Sequence, residues 1–153
     1  MADIRGDDGN NTLIGTADND RIRGDDGNDL LKGRGGDDRL EGDDGNDRLF
    51  GGGGNDVLDG GKGNDTMTGG NGSDVFRFGD NEGSDTILDF TDGVDLIKIS
   101  APGIADFGDL DISTDGAGNA VVSFVSNGDP SEITLVGVDP ASLSGADFIF
   151  SPG

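Results

Sequence analysis

A nine-residue period constrains this chain more than any other feature. From residue 6 to residue 77 the sequence falls into eight consecutive nonapeptides, from GDDGNNTLI to GGNGSDVFR. Position one is glycine in every unit: Gly6, Gly15, Gly24, Gly33, Gly42, Gly51, Gly60 and Gly69. Position six is aspartate in seven units (Asp20, Asp29, Asp38, Asp47, Asp56, Asp65 and Asp74) and Asn11 in the first. Position eight is always large and apolar, from Leu13 and Ile22 through Leu31, Leu40, Leu49 and Leu58 to Met67 and Phe76. A short period sustained over 72 residues marks a solenoid. Positions seven to nine alternate around one apolar side chain, as a short half-buried strand does. Positions one to six form a glycine-rich turn that uses positive φ and close backbone approach. One apolar residue in nine makes a core only when stacked strands bury it against a facing stack.

What the chain lacks narrows its chemistry. It has no Cys, so neither a disulfide framework nor a thiolate site is available. It has no His, Tyr or Trp, which excludes an HExxH zinc protease and a Ser-His-Asp triad. A net charge of −22 opposes nucleic-acid binding. No apolar run reaches transmembrane length, so no membrane insertion is expected, and residues 1–5 do not read as a secretory signal. The first unit follows so closely that the chain reads as the tail of a longer protein. At 153 residues it is expected to be one solenoid with a cap, and a monomer. With 31% hydrophobic residues, 31 glycines and that charge, the composition lies near that of disordered chains. Something besides a core must contribute to folding.

The pattern G-G-x-G-x-D-x-U-x, with U large and apolar, resembles the calcium-binding nonapeptide of RTX, or haemolysin-type, proteins. Such repeats occur in C-terminal regions of serralysin-like proteases and in R-modules of alginate (mannuronan) C-5-epimerases. The resemblance implies an all-β fold, a right-handed parallel β-roll solenoid with a C-terminal antiparallel β cap. In it successive units lie on opposite sides, so one coil is 18 residues. Asp29 then stacks over Asp47 and Asp65, and Asp38 over Asp56 and Asp74. Carboxylates stacked at strand spacing, about 4.8 Å, repel by about 1 kcal/mol in water and ~3–4 kcal/mol at an effective dielectric near 20. Calcium is a hard ion that takes six to eight oxygens, carboxylate and carbonyl alike. The implied cofactor is Ca2+, in six to eight copies, supplying part of the folding free energy.

The implied metal residues follow the register. Position six supplies Asp20, Asp29, Asp38, Asp47, Asp56, Asp65 and Asp74. Position one supplies Gly24, Gly33, Gly42, Gly51, Gly60 and Gly69. Position three supplies Asp26, Gly35, Asp44, Gly53, Lys62 and Asn71. Position four supplies Gly27, Gly36, Gly45, Gly54, Gly63 and Gly72. At the N-terminal edge, Asn11 and Asp18 depart from the pattern and predict a frayed coil.

After Arg77 the register slips. Gly83 to Ile87 reads as positions four to eight of a ninth unit, and Gly93 to Ile97 as those of a tenth. By parity Asp85 stacks on Asp65 and Asp95 on Asp74, and both join the metal set with Asp92. Residues 74–99 resemble the closing segment of RTX rolls, with Phe76, Phe78 and Phe90 as bulk for a cap. Antiparallel strands are expected over 110–114, 120–125 and 132–136. The domain division is therefore 1–77 as roll and 78–153 as cap. Asp147-Phe148-Ile149-Phe150, acidic then apolar, resembles the C-terminal signal of proteins exported by type I secretion, although Ser151-Pro152-Gly153 extends beyond it and a last β-strand would read the same way.

Two minor motifs remain. Asp111 to Gly116 matches half an EF-hand loop, but the twelfth position is Val122 and glycine turns flank it, so a hairpin turn is the better reading. Arg21 and Arg39 share one outer sheet face and Lys32 and Arg48 the other, a solvated face or a footprint for a polysaccharide. The resemblance implies a secreted, extracellular, non-catalytic module that folds on calcium after type I export, with the secretion machinery as partner. The alternatives are a polysaccharide-binding module of an extracellular enzyme and a spacer of an adhesin.

Overall fold

A computed structural model describes residues 1–151; Pro152 and Gly153, the end of the extension past Phe150, lie outside the described residues. Two three-residue strands open the chain, β1 (Asp3–Arg5) and β2 (Thr12–Ile14). Six strands of six residues follow: β3 (Arg21–Asp26), β4 (Leu30–Gly35), β5 (Arg39–Asp44), β6 (Arg48–Gly53), β7 (Val57–Lys62) and β8 (Thr66–Asn71). The rest are β9 (Val75–Phe78), β10 (Ser84–Ile87), β11 (Leu96–Ile99), β12 (Asp111–Thr114), β13 (Ala120–Ser126), β14 (Asp129–Leu135) and β15 (Phe148–Phe150). Each full strand begins at position seven, where the alternation begins, and runs into position three of the next unit. It outlasts the three-residue strand that the alternation alone suggests. A glycine at position one lets neighbouring backbones stay close enough to resume pairing at positions two and three.

The strands sort by parity into two facing sheets. One has the order β1-β3-β5-β7-β9-β11-β15 and the other β12-β13-β14-β10-β8-β6-β4-β2. Pairing within the roll is parallel and in register with the 18-residue coil, as in Leu40 opposite Ile22 and Leu58. This is a parallel β-roll. Position eight points inward: Ile22, Leu40, Leu58, Phe76 and Ile97 on one side face Leu31, Leu49, Met67 and Ile87 on the other, all with no exposed surface. Fully burying such a side chain contributes about 1.5–3 kcal/mol. The outermost pair, Ile4 and Leu13, is only partly buried.

The N-terminal edge is a formed coil, not the frayed one its departures predict. Asp3, Ile4 and Arg5 pair with Arg21, Ile22 and Arg23, and Thr12 to Ile14 with Leu30 to Lys32. The expected antiparallel strands form as β12, β13 and β14. They also extend the roll: β14 lies parallel on β10, with Ile87 opposite Leu135, and β15 lies parallel on β11, with Ile97 opposite Phe148. The aromatic residues close this end. Phe76 and Phe90 lie with ring centroids 6.4 Å apart, and Phe107 and Phe148 with centroids 5.3 Å apart. No helix among the described residues is long and apolar enough to cross a membrane.

Candidate metal centre

The position-six aspartates form two buried side-chain ladders. On one side the Asp29 N–H donates to Asp47 Oδ1 at 2.7 Å, Asp47 N–H to Asp65 Oδ1 at 2.7 Å, and Asp65 N–H to Asp85 Oδ1 at 2.9 Å. On the other, Asp20 N–H donates to Asp38 Oδ1 at 2.7 Å, Asp38 N–H to Asp56 Oδ1 at 2.8 Å, Asp56 N–H to Asp74 Oδ1 at 2.9 Å, and Asp74 N–H to Asp95 Oδ1 at 2.9 Å. Parity thus places Asp85 and Asp95 correctly, although two and three extra residues intervene. One carboxylate oxygen per coil is used to satisfy the backbone of the coil before it.

The second oxygen is not satisfied. Asp29, Asp38, Asp47, Asp56, Asp65 and Asp74 each hold a buried Oδ2 with no hydrogen-bond partner, and each residue is at most 3% exposed. A buried, unpaired carboxylate oxygen is costly, and six in two stacks call for positive charge. Burial, reinforced by the stacked neighbours, pushes Asp47 and Asp56 up to about 6, Asp65 to about 7 and Asp85 to about 8.

Position one is glycine because these oxygens crowd it. A Cβ at Gly42 would lie 2.2 Å from Asp47 Oδ2 and 2.4 Å from the Gly60 carbonyl of the next coil. Position four has its own reason: Gly45 has φ of 144°, and a Cβ there would stand 1.7 Å from the Gly27 carbonyl. Among the described residues no three Asp, Glu, His or Cys side chains converge as a metal cluster. Carboxylates must therefore act with backbone carbonyls, a hard all-oxygen set that suits Ca2+ and gives a soft metal nothing to select. The orphaned oxygens beside glycine carbonyls fit such an ion.

The other residues expected at the site are placed more loosely. Position-three side chains Asp26, Asp44, Lys62 and Asn71 are exposed. The Lys62 ammonium lies 3.2 Å from Asp44 Oδ1, so Lys62 offers a loop only its carbonyl. The Asp44 and Lys62 carbonyls accept the N–H groups of Gly27 and Gly45. Asp92 lies beside Gly93, whose N–H reaches the buried Asp147 carboxylate at 3.4 Å; Asp147 also takes the N–H and hydroxyl of Ser144. Asp147 ends a single 3-10 turn, Gly145–Asp147, and Phe148 begins the structured last strand, β15. Asp20 differs from the central aspartates: the Thr16 backbone N–H, at 2.6 Å, leads the hydrogen bonds that hold its carboxyl below the usual range.

Three features escaped the sequence reading. Position five carries a second ladder, running the opposite way: Asn28 N–H donates to Asn10 Oδ1, Asn46 to Asn28, and Asn64 to Asn46. An Asn, Asp or Ser in that position of every unit was the available signal. Glu82 replaces a loop oxygen in the ninth unit; its Oε1 would lie 2.6 Å from a Cβ at Gly79, its Oε2 has no partner, and burial pushes its carboxyl up to about 8. Asp89 receives both the Gly69 and Gly70 N–H groups, at 2.9 and 2.8 Å.

The outer faces resolve differently. Arg21 and Arg39 both bond Glu41, Arg23 approaches Asp43 at 2.8 Å, and Arg77 lies 3.4 Å from Asp59. The arginines of that face are neutralised by Glu41, Asp43 and Asp59. Asp111 to Gly116 is a hairpin, with Asp115 accepting from Ala117 and Asn119.

The register, the two carboxylate ladders and the mixed oxygen set define a calcium-binding repeat solenoid. The model of the RTX calcium-binding nonapeptide repeat (four copies) matches residues 5–40 and again 41–76. The chain belongs to this family of RTX calcium-binding repeat proteins. It is similar in structure to two R subunits of the Azotobacter vinelandii mannuronan C5-epimerase. One, AlgE6R3, is 30% identical over 95% of this chain and 81% of the other, with a TM-score of 0.53. The other, AlgE6R2, is 29% identical over 97% and 92%, with a TM-score of 0.55. The extracellular lipase LipA of Serratia marcescens shares the fold at 18% identity and a TM-score of 0.52 over 95% of this chain, which spans 39% of the lipase. A search of curated proteins returns no match.

Proposed function

We propose that the chain is a non-catalytic module that folds on Ca2+ outside the cell after type I secretion, and thereby assists export and stability of an attached protein. In this reading residues 1–77 are the calcium-loaded roll and 78–153 the cap that carries the export signal. The position-six aspartates, with carbonyls at positions one, three and four, hold the ions. The observation that carries it is the set of six orphaned, buried Oδ2 atoms. A fold that leaves these without a cation is disfavoured where calcium is scarce, as in a cytosol, and favoured where it is abundant. The chain would then stay threadable until exported. The secreted character of the similar lipase supports the extracellular assignment. The test is circular dichroism of the chain in chelator and in millimolar calcium or magnesium. Coil in chelator, β-structure in calcium and a weak response to magnesium are expected, since magnesium demands tighter octahedral geometry. The same folded spectrum in excess chelator would end this reading.

A polysaccharide partner is favoured by one observation. On the outer face of the sheet containing β4 and β6, Lys32 sits 5.9 Å from the Phe50 ring centroid, and Arg48 makes no salt bridge among the described residues. A glycan array in calcium buffer tests it; loss of an acidic-glycan signal in a Lys32→Ala/Arg48→Ala variant would assign binding to this face.

A further inference from the structure

The repeats differ at the oxygen that faces the loop, and the difference follows position two. In units three to eight, position two has positive φ: 74° at Asp25, 83° at Arg34, 75° at Asp43, 115° at Gly52, 91° at Gly61 and 102° at Gly70. These are the six units whose position-six Oδ2 is buried without a partner. Unit nine shares the positive φ, 60° at Asn81, and there the Asp85 carboxylate accepts a hydrogen bond through Oδ1 alone among the described residues. In units one, two and ten, position two is absent from the positive-φ set, and its N–H turns onto the position-six side chain. Asp7 N–H donates to Asn11 Oδ1 at 2.7 Å, Thr16 N–H to Asp20 Oδ2 at 2.6 Å, and Thr91 N–H to Asp95 Oδ2 at 2.8 Å. The Thr16 hydroxyl adds a second bond to Asp20 Oδ2 at 2.8 Å.

We propose that position two is a gate that decides which loops take a cation, open in units three to nine and closed in units one, two and ten. The reasoning rests on the calcium reading above and deepens it. An open loop presents a buried carboxylate oxygen with no internal donor. A closed loop has already supplied two N–H or O–H donors at Asp20, or one at Asp95, in the place of a metal. Residue type biases the choice. A β-branched residue is all but excluded from positive φ, and both closed loops that retain an aspartate have threonine at position two. Glycine adopts positive φ freely, and aspartate tolerates it, so Asp25 and Asp43 are open while Asp7, beside the uncharged Asn11, is closed. Asp20 and Asp95 are therefore structural acceptors that finish the two ends of the even stack, and the cation load lies between them.

The experiment counts calcium bound to the folded full chain by native mass spectrometry. Thr16→Gly/Asp18→Gly gives unit two glycine at positions two and four, like units six to eight, and leaves Asp20 in place. It is expected to bind one more calcium than the wild type. Asp56→Asn, at a loop whose Oδ2 has no partner, is expected to lower the count by at least one. An unchanged count in the double variant or in Asp56→Asn overturns the gate. A wild type that binds no calcium overturns the underlying reading instead, so the two failures are distinguishable.

Discussion

Replacing Asp65 by asparagine separates the structural duty of a central aspartate from its charge. Asp65 Oδ1 accepts the Asp47 N–H at 2.7 Å, while Oδ2 is buried without a partner and the residue is 1% exposed. Asparagine keeps the acceptor and removes the charge. Burial, with Asp47 and Asp59 nearby, raises the Asp65 carboxyl to about 7 from an ordinary 3.8. Its folded value lies above its unfolded one, so its favourable contribution to the metal-free fold is complete below pH 3.8 and is lost as pH rises through 7. Ionising it inside the metal-free fold costs about 4 kcal/mol at the upper end, before relaxation and water entry reduce it. In calcium-free buffer, osmolyte-driven folding followed by circular dichroism should therefore need much less osmolyte for Asp65→Asn than for wild type at pH 7.5. The two should converge at pH 4, where the wild-type carboxyl is protonated in the fold. In calcium the order should reverse, because the variant lacks a carboxylate proposed to hold the ion. Wild type and variant curves that stay parallel from pH 4 to 7.5 would refute the argument that buried charge is what keeps the metal-free chain open.

Other consequences are simpler to read. Leu58→Ala empties a site with no exposed surface between Leu40 and Phe76, and should lower calcium-loaded stability by about 2–5 kcal/mol in urea unfolding. Truncation after Arg77 removes β10 and β11, the acceptors Asp85 Oδ1 and Asp95 Oδ1, and the cover over Met67 and Phe76. The remaining nonapeptides should stay largely unfolded at millimolar calcium, and a truncated chain with the full-length calcium midpoint and cooperativity would show the cap to be dispensable.

The repeat and its aspartate register were legible because a nine-residue period specifies every neighbour in a stack; even Asp85 and Asp95 followed from parity across irregular spacing. Position eight marked the core for the same reason. The return of β14 onto β10 and of β15 onto β11 was not legible. Those parallel pairings join segments dozens of residues apart, in a region without a period, and nothing local distinguishes Leu135 as a partner for Ile87. The sign of φ at Asp25 against Asp7 was hidden too, since aspartate occupies both conformations. The position-five residues stand in the sequence as a column of Asn, Asp and Ser, but nothing local shows that their side chains accept from the next coil's backbone.

The buried aspartate ladder has a polarity that bears on synthesis. Each position-six N–H is satisfied by a carboxylate one coil later in the chain, ending at Asp85 and Asp95. A ribosome releases the donors before the acceptors. Every coil that emerges therefore waits, with a buried amide unmatched, for at least 18 further residues, and the wait is passed along until the last acceptor is translated. The nascent chain has no complete stopping point before Asp95 has appeared.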